Sequence, residues 1–325
     1  MSDQLQAVAD KIDAAERILL TCHRGPDGDS VGSLVALASL LKTQGKTVVL
    51  YNPDLVPRYL KWLPYGKKFV QQLKKKARFD LTLVVDCGDL KLLGDKFPEP
   101  EVTGEVVALD HHGSGRPFGD LFVSDPSVAA VGVMVVQIAD LLQWPVTKEA
   151  AIGIYVSIVS DTGGFRYANT NSQVLRLAAR LVEESGVDPA ELGERMSQDS
   201  SPGRYRLLSR VLKELQVRVD GKVAFMVISA EMVKECGATW EDTEGLINYA
   251  RSLRGVHCGV LICPSKYGGV RVSMRARGAE IDAGKVCFEL GGGGHKGAAG
   301  CTLQGTLEEA QGIVEKALQA FVTAI

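Results

Sequence analysis

The chain has no Cys-x-x-Cys pair, and its seven cysteines are odd in number and scattered. This argues against a disulfide framework as the basis of the fold. It has no apolar run of the roughly 18 residues that a membrane helix needs. Its start, Met1-Ser2-Asp3-Gln4, lacks the basic residues and apolar stretch of a signal peptide. At a formal net charge of −2 it also lacks the positive excess with which proteins coat long nucleic acid. A short anion held by a few local cations or metals stays open. No long-period repeat and no low-complexity tail is present. These absences leave a globular protein expected in the cytoplasm, without a membrane. Its 325 residues, 46 % apolar and 23 % charged, are enough for two domains. The one basic run, Lys74-Lys75-Lys76-Ala77-Arg78, reads as a solvated surface.

The first half alternates strand-like with helix-like segments. Leu5, Val8, Ala9 and Ile12 recur at helical spacing. Residues 17–22, 47–51, 81–86 and 105–110 read as strands, and 30–44, 129–142 and 148–160 as helices, the first of these stopping at Gly45. Such alternation predicts an α/β domain, a mainly parallel sheet with helices on both faces. Residues 171–216 read as helical, broken near Gly186-Val187-Asp188-Pro189 and Ser200-Ser201-Pro202-Gly203. Beyond them, an Asp220-Gly221 turn between alternating runs predicts a hairpin. Strands are expected at 259–263 and 270–275, and helices at 243–253, 282–290 and 307–321. The expected division is a catalytic domain over 1–190, a helical linker over 191–215, and a smaller mixed α+β domain over 216–325.

Ligand-type side chains concentrate at predicted strand ends, where sheets of this kind hold ligands. Cys22-His23-Arg24-Gly25-Pro26-Asp27-Gly28-Asp29-Ser30 follows the first strand, Asp86 ends the third, and Asp110-His111-His112 ends the fourth. Asp161 closes a predicted helix. Imidazole beside carboxylate suits a divalent metal of the manganese, zinc or magnesium type. Two carboxylates about 4 Å apart repel by roughly 4 kcal/mol at an effective dielectric of 20, so four in one crevice call for cations. Four negative charges match two divalent ions, a pairing suited to phosphoryl displacement. Gly25, Gly28 and Gly32 are read as letting the backbone aim Asp27 and Asp29 at one point, and the helix from Ser30 as pointing its amino end at the crevice. Each cluster has a bland reading on its own: a turn, a surface pair, a strand end. Four in register do not.

These residues resemble the DHH phosphoesterase family, named for the run at Asp110-His111-His112. The tail Gly291-Gly292-Gly293-Gly294-His295-Lys296-Gly297-Ala298-Ala299-Gly300 resembles the glycine-rich signature of that family's DHHA1 domain. The resemblance implies that His23, Asp27 and Asp86 hold one metal, typically Mn2+. Asp29, Asp86, His111 and Asp161 would hold the second. It also implies that His112 contacts the scissile phosphate or protonates the leaving oxygen, and that Arg275 and His295 bind substrate. Asp110 is assigned to orienting an imidazole, and Gly293 and Gly294 to bringing backbone N–H groups to an anion. Arg271 and Arg277 have weaker claims.

Within the family the two-domain nanoRNase group matches best. It implies hydrolysis of short oligoribonucleotides to 5′-mononucleotides in a cleft between domains, and dephosphorylation of 3′-phosphoadenosine 5′-phosphate. The partners are then short RNA or small nucleotides rather than long duplexes, with a homodimer as a candidate assembly. The alternatives are a phosphodiesterase for cyclic or linear (pApA-type) dinucleotides and a catalytically inactive nucleotide-binding module. Pyrophosphatases share the core but carry a different second domain, and 325 residues leave little room for the extra nucleic-acid-binding domain of the single-strand exonucleases that resemble it. Two generic motifs are set aside. Gly28-Asp29-Ser30-Val31-Gly32 imitates a nucleophile elbow, yet its serine is not at a strand-to-helix turn and reads as a helix cap. Gly292-Gly293-Gly294-His295-Lys296-Gly297 imitates a dinucleotide fingerprint in the wrong element order.

Overall fold

The computed structural model describes residues 2–113, 115–197, 200–278 and 280–323. The chain divides into two units, Met1–Gln198 and Asp199–Ile325. Gln198 and Asp199, inside the stretch read as a linker, lie outside the described residues.

The first unit runs α1 (Ser2–Ala14), β1 (Arg17–Cys22), α2 (Gly28–Thr43), β2 (Thr47–Leu50), β3 (Leu81–Val85), α3 (Pro100–Thr103), β4 (Glu105–Asp110), β5 (Leu121–Ser124), α4 (Val131–Leu141), α5 (Lys148–Asp161), α6 (Ser172–Ser185) and α7 (Pro189–Ser197). Its five strands are all parallel, in the order β2-β1-β3-β4-β5. The expected parallel α/β sheet is present. Its edge strand β5 is an addition to the expected set: Leu121-Phe122-Val123 is too short an apolar run to read as a strand.

The faces are covered unequally. Leu5, Val8 and Ile12 of α1, with α2, α4 and α5, bury Ile18, Leu20, Leu83, Val85, Val107 and Leu109 in one large core. On the opposite face Leu19, Val84 and Ala108 meet loop residues and short helical turns, including Phe79, Leu93 and the partly buried Phe97 and Phe118. The chain turns back between β1 and β3, so the crevice of a doubly wound sheet opens at their carboxyl ends. His23 and Asp86 stand there.

The second unit contains α8 (Pro202–Lys213), β6 (Gln216–Arg218), β7 (Val223–Val227), α9 (Ala230–Glu235), α10 (Ile247–Arg251), β8 (Cys258–Pro264), β9 (Val270–Ala276), α11 (Ala283–Glu289), β10 (Gly293–His295), β11 (Ala298–Leu303) and α12 (Leu307–Thr323). Its sheet is mixed, in the order β10-β11-β9-β8-β7-β6, with β7 and β8 parallel and the remaining pairs antiparallel. The anticipated hairpin joins β6 to β7. Lys222 N–H donates to Val219 O at 2.9 Å across Asp220 (φ 53°) and Gly221 (φ 80°), the geometry of a type I′ turn. Helices α11 and α12 cover one face of the sheet and α8, α9 and α10 the other. Leu192 of α7 is buried in the first unit's core, and Leu207 and Val211 of α8 in the second's. No described helix is long and apolar enough to cross a membrane.

Candidate active site

Helix α2 begins at Gly28, two residues before the start read from the sequence, because Asp27 caps it. Asp27 Oδ1 accepts the Ser30 N–H at 3.1 Å, and the Asp27 N–H donates to Ser30 Oγ at 2.9 Å. Ser30 is thus the third helical residue of a capping box rather than the cap itself. The glycines also work differently from the expectation. Gly25 alone of the three has a left-handed backbone, at φ 67°. Gly28 and Gly32 are helical, and what matters there is the missing Cβ. A Cβ on Gly28 would collide with Ser160 Oγ, and one on Gly32 with the carbonyl of Gly153. Glycines facing each other let α2 lie against α5, bringing Asp29 on the first helix close to Asp161 at the end of the second.

All six candidate metal residues gather at this crevice. His23, Asp27 and Asp86 place one ligand atom each within 4.8 Å of one another, and so do Asp29, His111 and Asp161. His111 Nε2 is 3.1 Å from Asp161 Oδ2, 3.3 Å from Asp29 Oδ2 and 3.7 Å from Asp86 Oδ1. His23 Nε2 lies 3.3 Å from the other Asp86 oxygen, Oδ2. Asp86 therefore faces both triads. It sits just past β3 at φ 55°, a strained conformation for a residue with a Cβ. Its N–H is tied to Leu109 O at 2.8 Å.

The tautomers are set from behind. His23 Nδ1–H donates to Arg24 O at 2.9 Å and His111 Nδ1–H to Val128 O at 3.3 Å, turning both Nε2 atoms to the carboxylates. His112 is arranged the other way. Its Nδ1–H donates to Asp110 Oδ1 at 2.7 Å, so any contact with substrate falls to Nε2.

Electrostatics follow from packing these groups together. Burial alone would lower the His23 pKa, but its hydrogen bond to Asp86 and the Asp27 and Asp86 charges raise it to about 10. Burial would raise Asp86, yet His23, with His112 and His111, holds it well below the usual carboxylate range. Burial, then the Asp86 and Asp161 charges, push Asp29 well above that range. His111 and His112 are raised against their burial, chiefly by Asp161 and by Asp110. The crevice thus holds acidic groups whose charges oppose one another and imidazoles that keep their protons. The donor set, hard oxygens with imidazole Nε2 atoms fixed through their second nitrogens, fits a pair of divalent cations. The buried Asp110 Oδ2, without a hydrogen-bond partner among the described residues, adds to the negative character.

Supporting residues not singled out in the sequence complete the site. Ser157 Oγ and Ser33 Oγ donate to Asp29 Oδ1 at 2.6 and 3.0 Å, and the Val131 N–H donates to Oδ2 at 2.9 Å. Ser33 is four residues past Asp29, a helical spacing that could have revealed it, whereas Ser157 reaches Asp29 from another helix. Asn52 Nδ2 donates to His23 O at 2.9 Å and Asn169 Nδ2 to Asp161 O at 3.0 Å. No local pattern points to either.

In the second unit the glycine run is an edge hairpin rather than an open loop. Gly291 turns out of α11 at φ 81°, and Gly293–His295 form β10. Gly294, at φ 134°, has no room for a Cβ, which would stand 2.6 Å from Ala298 O. His295 pairs with Ala298, and Ala298 with Arg275. Directly paired residues point to the same face. Arg275 and His295 therefore share a face, roughly 10 Å apart at the strand spacing, with one methyl group between them. Gly293, Gly300 and Ser273 form the next row of that face. Arg271 lies farther along β9, 3.2 Å from Glu244, and Arg277 donates to Leu253 O at 3.0 Å.

Comparison with known proteins agrees with this architecture. Residues 17–158 match the model of the DHH family, N-terminal domain, and residues 220–323 that of the DHHA1 domain. The chain is 34 % identical over 304 residues to the bifunctional oligoribonuclease and PAP phosphatase NrnA of Thermus thermophilus, covering 93 % of this chain and 89 % of that one. It is 23 % identical over 294 residues to the protein of the same name from Bacillus subtilis, covering 89 % and 90 %. A crystal structure of an exopolyphosphatase-related protein from Bacteroides fragilis superposes with a TM-score of 0.87 at 24 % identity, covering 100 % of this chain and 98 % of the other. The chain is a phosphoesterase of the DHH/DHHA1 family.

Proposed function

We propose that this protein hydrolyses short oligoribonucleotides to 5′-mononucleotides and dephosphorylates 3′-phosphoadenosine 5′-phosphate, using two divalent cations, Mn2+ by preference. The observation that carries the reading is the convergence of His23, Asp27, Asp29, Asp86, His111 and Asp161 on one crevice with Asp86 facing both triads. The NrnA relatives supply the substrate class.

His23, Asp27 and Asp86 would hold one cation, and Asp29, Asp86, His111 and Asp161 the other. When bound, such ions make a nucleophile from water near neutral pH and neutralise charge on phosphate oxygens. The remaining steps belong to the chain. Ser33, Ser157 and the Val131 N–H fix Asp29, so no rearrangement is needed as the substrate arrives. Asp110 holds His112 in the tautomer whose Nε2 meets the phosphate, and its charge keeps a proton within reach of the leaving oxygen. Arg275, His295 and the backbone of Gly293 and Gly294 would take an anionic part of the substrate. Arg275 is suited to this by its planar fork.

The test is a side-by-side hydrolysis panel with added manganese: a ladder of RNA lengths, pApA, cyclic dinucleotides and 3′-phosphoadenosine 5′-phosphate. Rates highest on two- to five-residue RNA support the reading. Equal rates on dimers and 50-mers, or turnover confined to cyclic dinucleotides, would overturn it.

A further inference from the structure

Residues 55–79, between β2 and β3, take no part in the candidate centre. They hold eight lysines and arginines and no Asp or Glu, so in a chain of net charge −2 the other 300 residues carry −10. Their apolar side chains have a structural task. Val56, Leu60, Leu63 and Phe69 are buried in the core, and Val70 lies along the outer edge of β2, its N–H donating to Leu50 O at 2.9 Å. Guarding an edge strand needs a charge or two, not eight cations with no acid among them.

Lys67, Lys68, Lys74, Lys75, Lys76 and Arg78 are exposed. Cations and rings are interleaved. The ammonium groups of Lys42, at the end of α2, and of Lys68 lie 4.3 and 5.0 Å from the centre of the same ring, Tyr65. The guanidinium of Arg195, paired with Glu191 at 3.0 Å, lies 5.4 Å from the centre of the Trp62 ring. Burial first, and then the Lys68 charge, lower the Lys42 pKa. The residue just before the segment is tied to the loop that carries His23 and Asp27, for Asp54 Oδ2 accepts the Gly25 N–H at 2.7 Å.

We propose that residues 55–79, with Lys42, form a sequence-independent surface for single-stranded RNA, retaining the part of an oligoribonucleotide that extends beyond the candidate centre. The proposal deepens the oligoribonuclease reading and rests on it. Lysines neutralise the backbone, and the partly exposed side chains of Tyr59, Trp62 and Tyr65 among them give apolar contact to bases of any identity. An anionic membrane is the poorer fit, because the charges do not lie along an amphipathic helix and the three rings pack back against the core.

Reversing four exposed charges, K67E/K68E/K74E/K75E, leaves every buried side chain in place. Full-length protein in EDTA is titrated by fluorescence anisotropy with labelled oligouridylates of increasing length at several salt concentrations. Wild type should bind a 12-mer more tightly than a trimer, with a salt slope of about 0.7 per phosphate contact. The variant should lose at least about tenfold for the 12-mer and show a shallower slope. Unchanged 12-mer affinity in a variant that melts like wild type overturns the proposal. So does wild-type binding to phosphatidylglycerol vesicles with none to RNA. Should the fourfold variant melt early, Lys67→Gln with Lys68→Gln carries the same test. No hydrolysis enters the measurement. RNA bound through these lysines but never cut would keep the surface and defeat the nuclease reading, whereas RNA cut with equal efficiency by both proteins would do the reverse.

Discussion

The two units use a sheet in opposite ways. In the first, Asp86, Asp110 and His111 stand at strand ends, buried beside the half-buried His112, and crowded with charges that the fold must hold together. In the second, Arg275 and His295 stand within strands on a face cleared by Ala298, Gly293 and Gly300. One surface crowds carboxylates whose charges oppose one another; the other sets small residues between a guanidinium and an imidazole. Substitutions in the first should therefore disturb chemistry, metal binding and stability together. Those in the second should alter binding alone.

The sharpest break of this contrast is Asp86→Asn. It keeps the shape of the residue that faces both triads but removes its charge, and should lower turnover by about 10³-fold, the scale of losing a charge contact made in the transition state. Steady-state hydrolysis of a dinucleotide checks this, and unchanged activity refutes the assignment of Asp86. Next in size is Gly32→Ala. Its Cβ would meet the Gly153 carbonyl and stand 2.9 Å from the Ser157 nitrogen, forcing α2 from α5. Overpacking of this kind costs about 1–3 kcal/mol, visible as an earlier urea midpoint. Because Asp29 rides on the displaced helix, manganese affinity should fall in the same variant. A shift in stability without one in metal binding would show that the helix contact does not position the site.

How far the sequence foretells this contrast differs between the units for physical reasons. Strand ends of the first are legible because fully buried runs such as Leu81–Val85 end abruptly in a polar residue at their carboxyl end, where sheets of this kind hold ligands. The start of α2 is misleading since Asp27 looks like a loop ligand and is also a cap. Gly28 and Gly32 read as backbone hinges because a motif cannot show what a Cβ would strike. Asn52 and Asn169 leave no trace, as each acts on a partner brought close by the fold alone. In the second unit, Arg275 and His295 are 20 residues apart in sequence, and only the register through Ala298 reveals their common face. Helix α9 escapes notice for its brevity, while the Asp220-Gly221 turn is plain because it demands left-handed residues.

The pH dependence of metal loading sharpens the same comparison. Without metal, His23 keeps its proton up to about pH 10, so a cation taking its Nε2 at neutral pH must displace that proton. Protons compete with metal, and affinity should weaken as pH falls. The slope should be about tenfold per pH unit for each proton displaced. Calorimetric manganese titrations at two pH values, each in two buffers of different ionisation enthalpy, report the proton count directly. A pH-independent affinity would mean that His23 is not a ligand.

The smallest effect is expected from Ala298→Leu, and it probes the second unit most directly. The site is partly exposed within an antiparallel strand, where a larger apolar side chain is tolerated, so melting should be unchanged. The new isobutyl group would occupy the gap between Arg275 and His295. If those two residues hold one ligand, KM for a dinucleotide should rise several-fold, while kcat, set at the other unit, stays near its wild-type value. Arg275→Ala should give the same signature by removing the cation instead of the space. Combining the two should then cost less than the sum of their separate effects, since each disables the same contact. Strict additivity would mean that Arg275 and Ala298 act on different parts of the substrate, and the shared face would be a geometric coincidence.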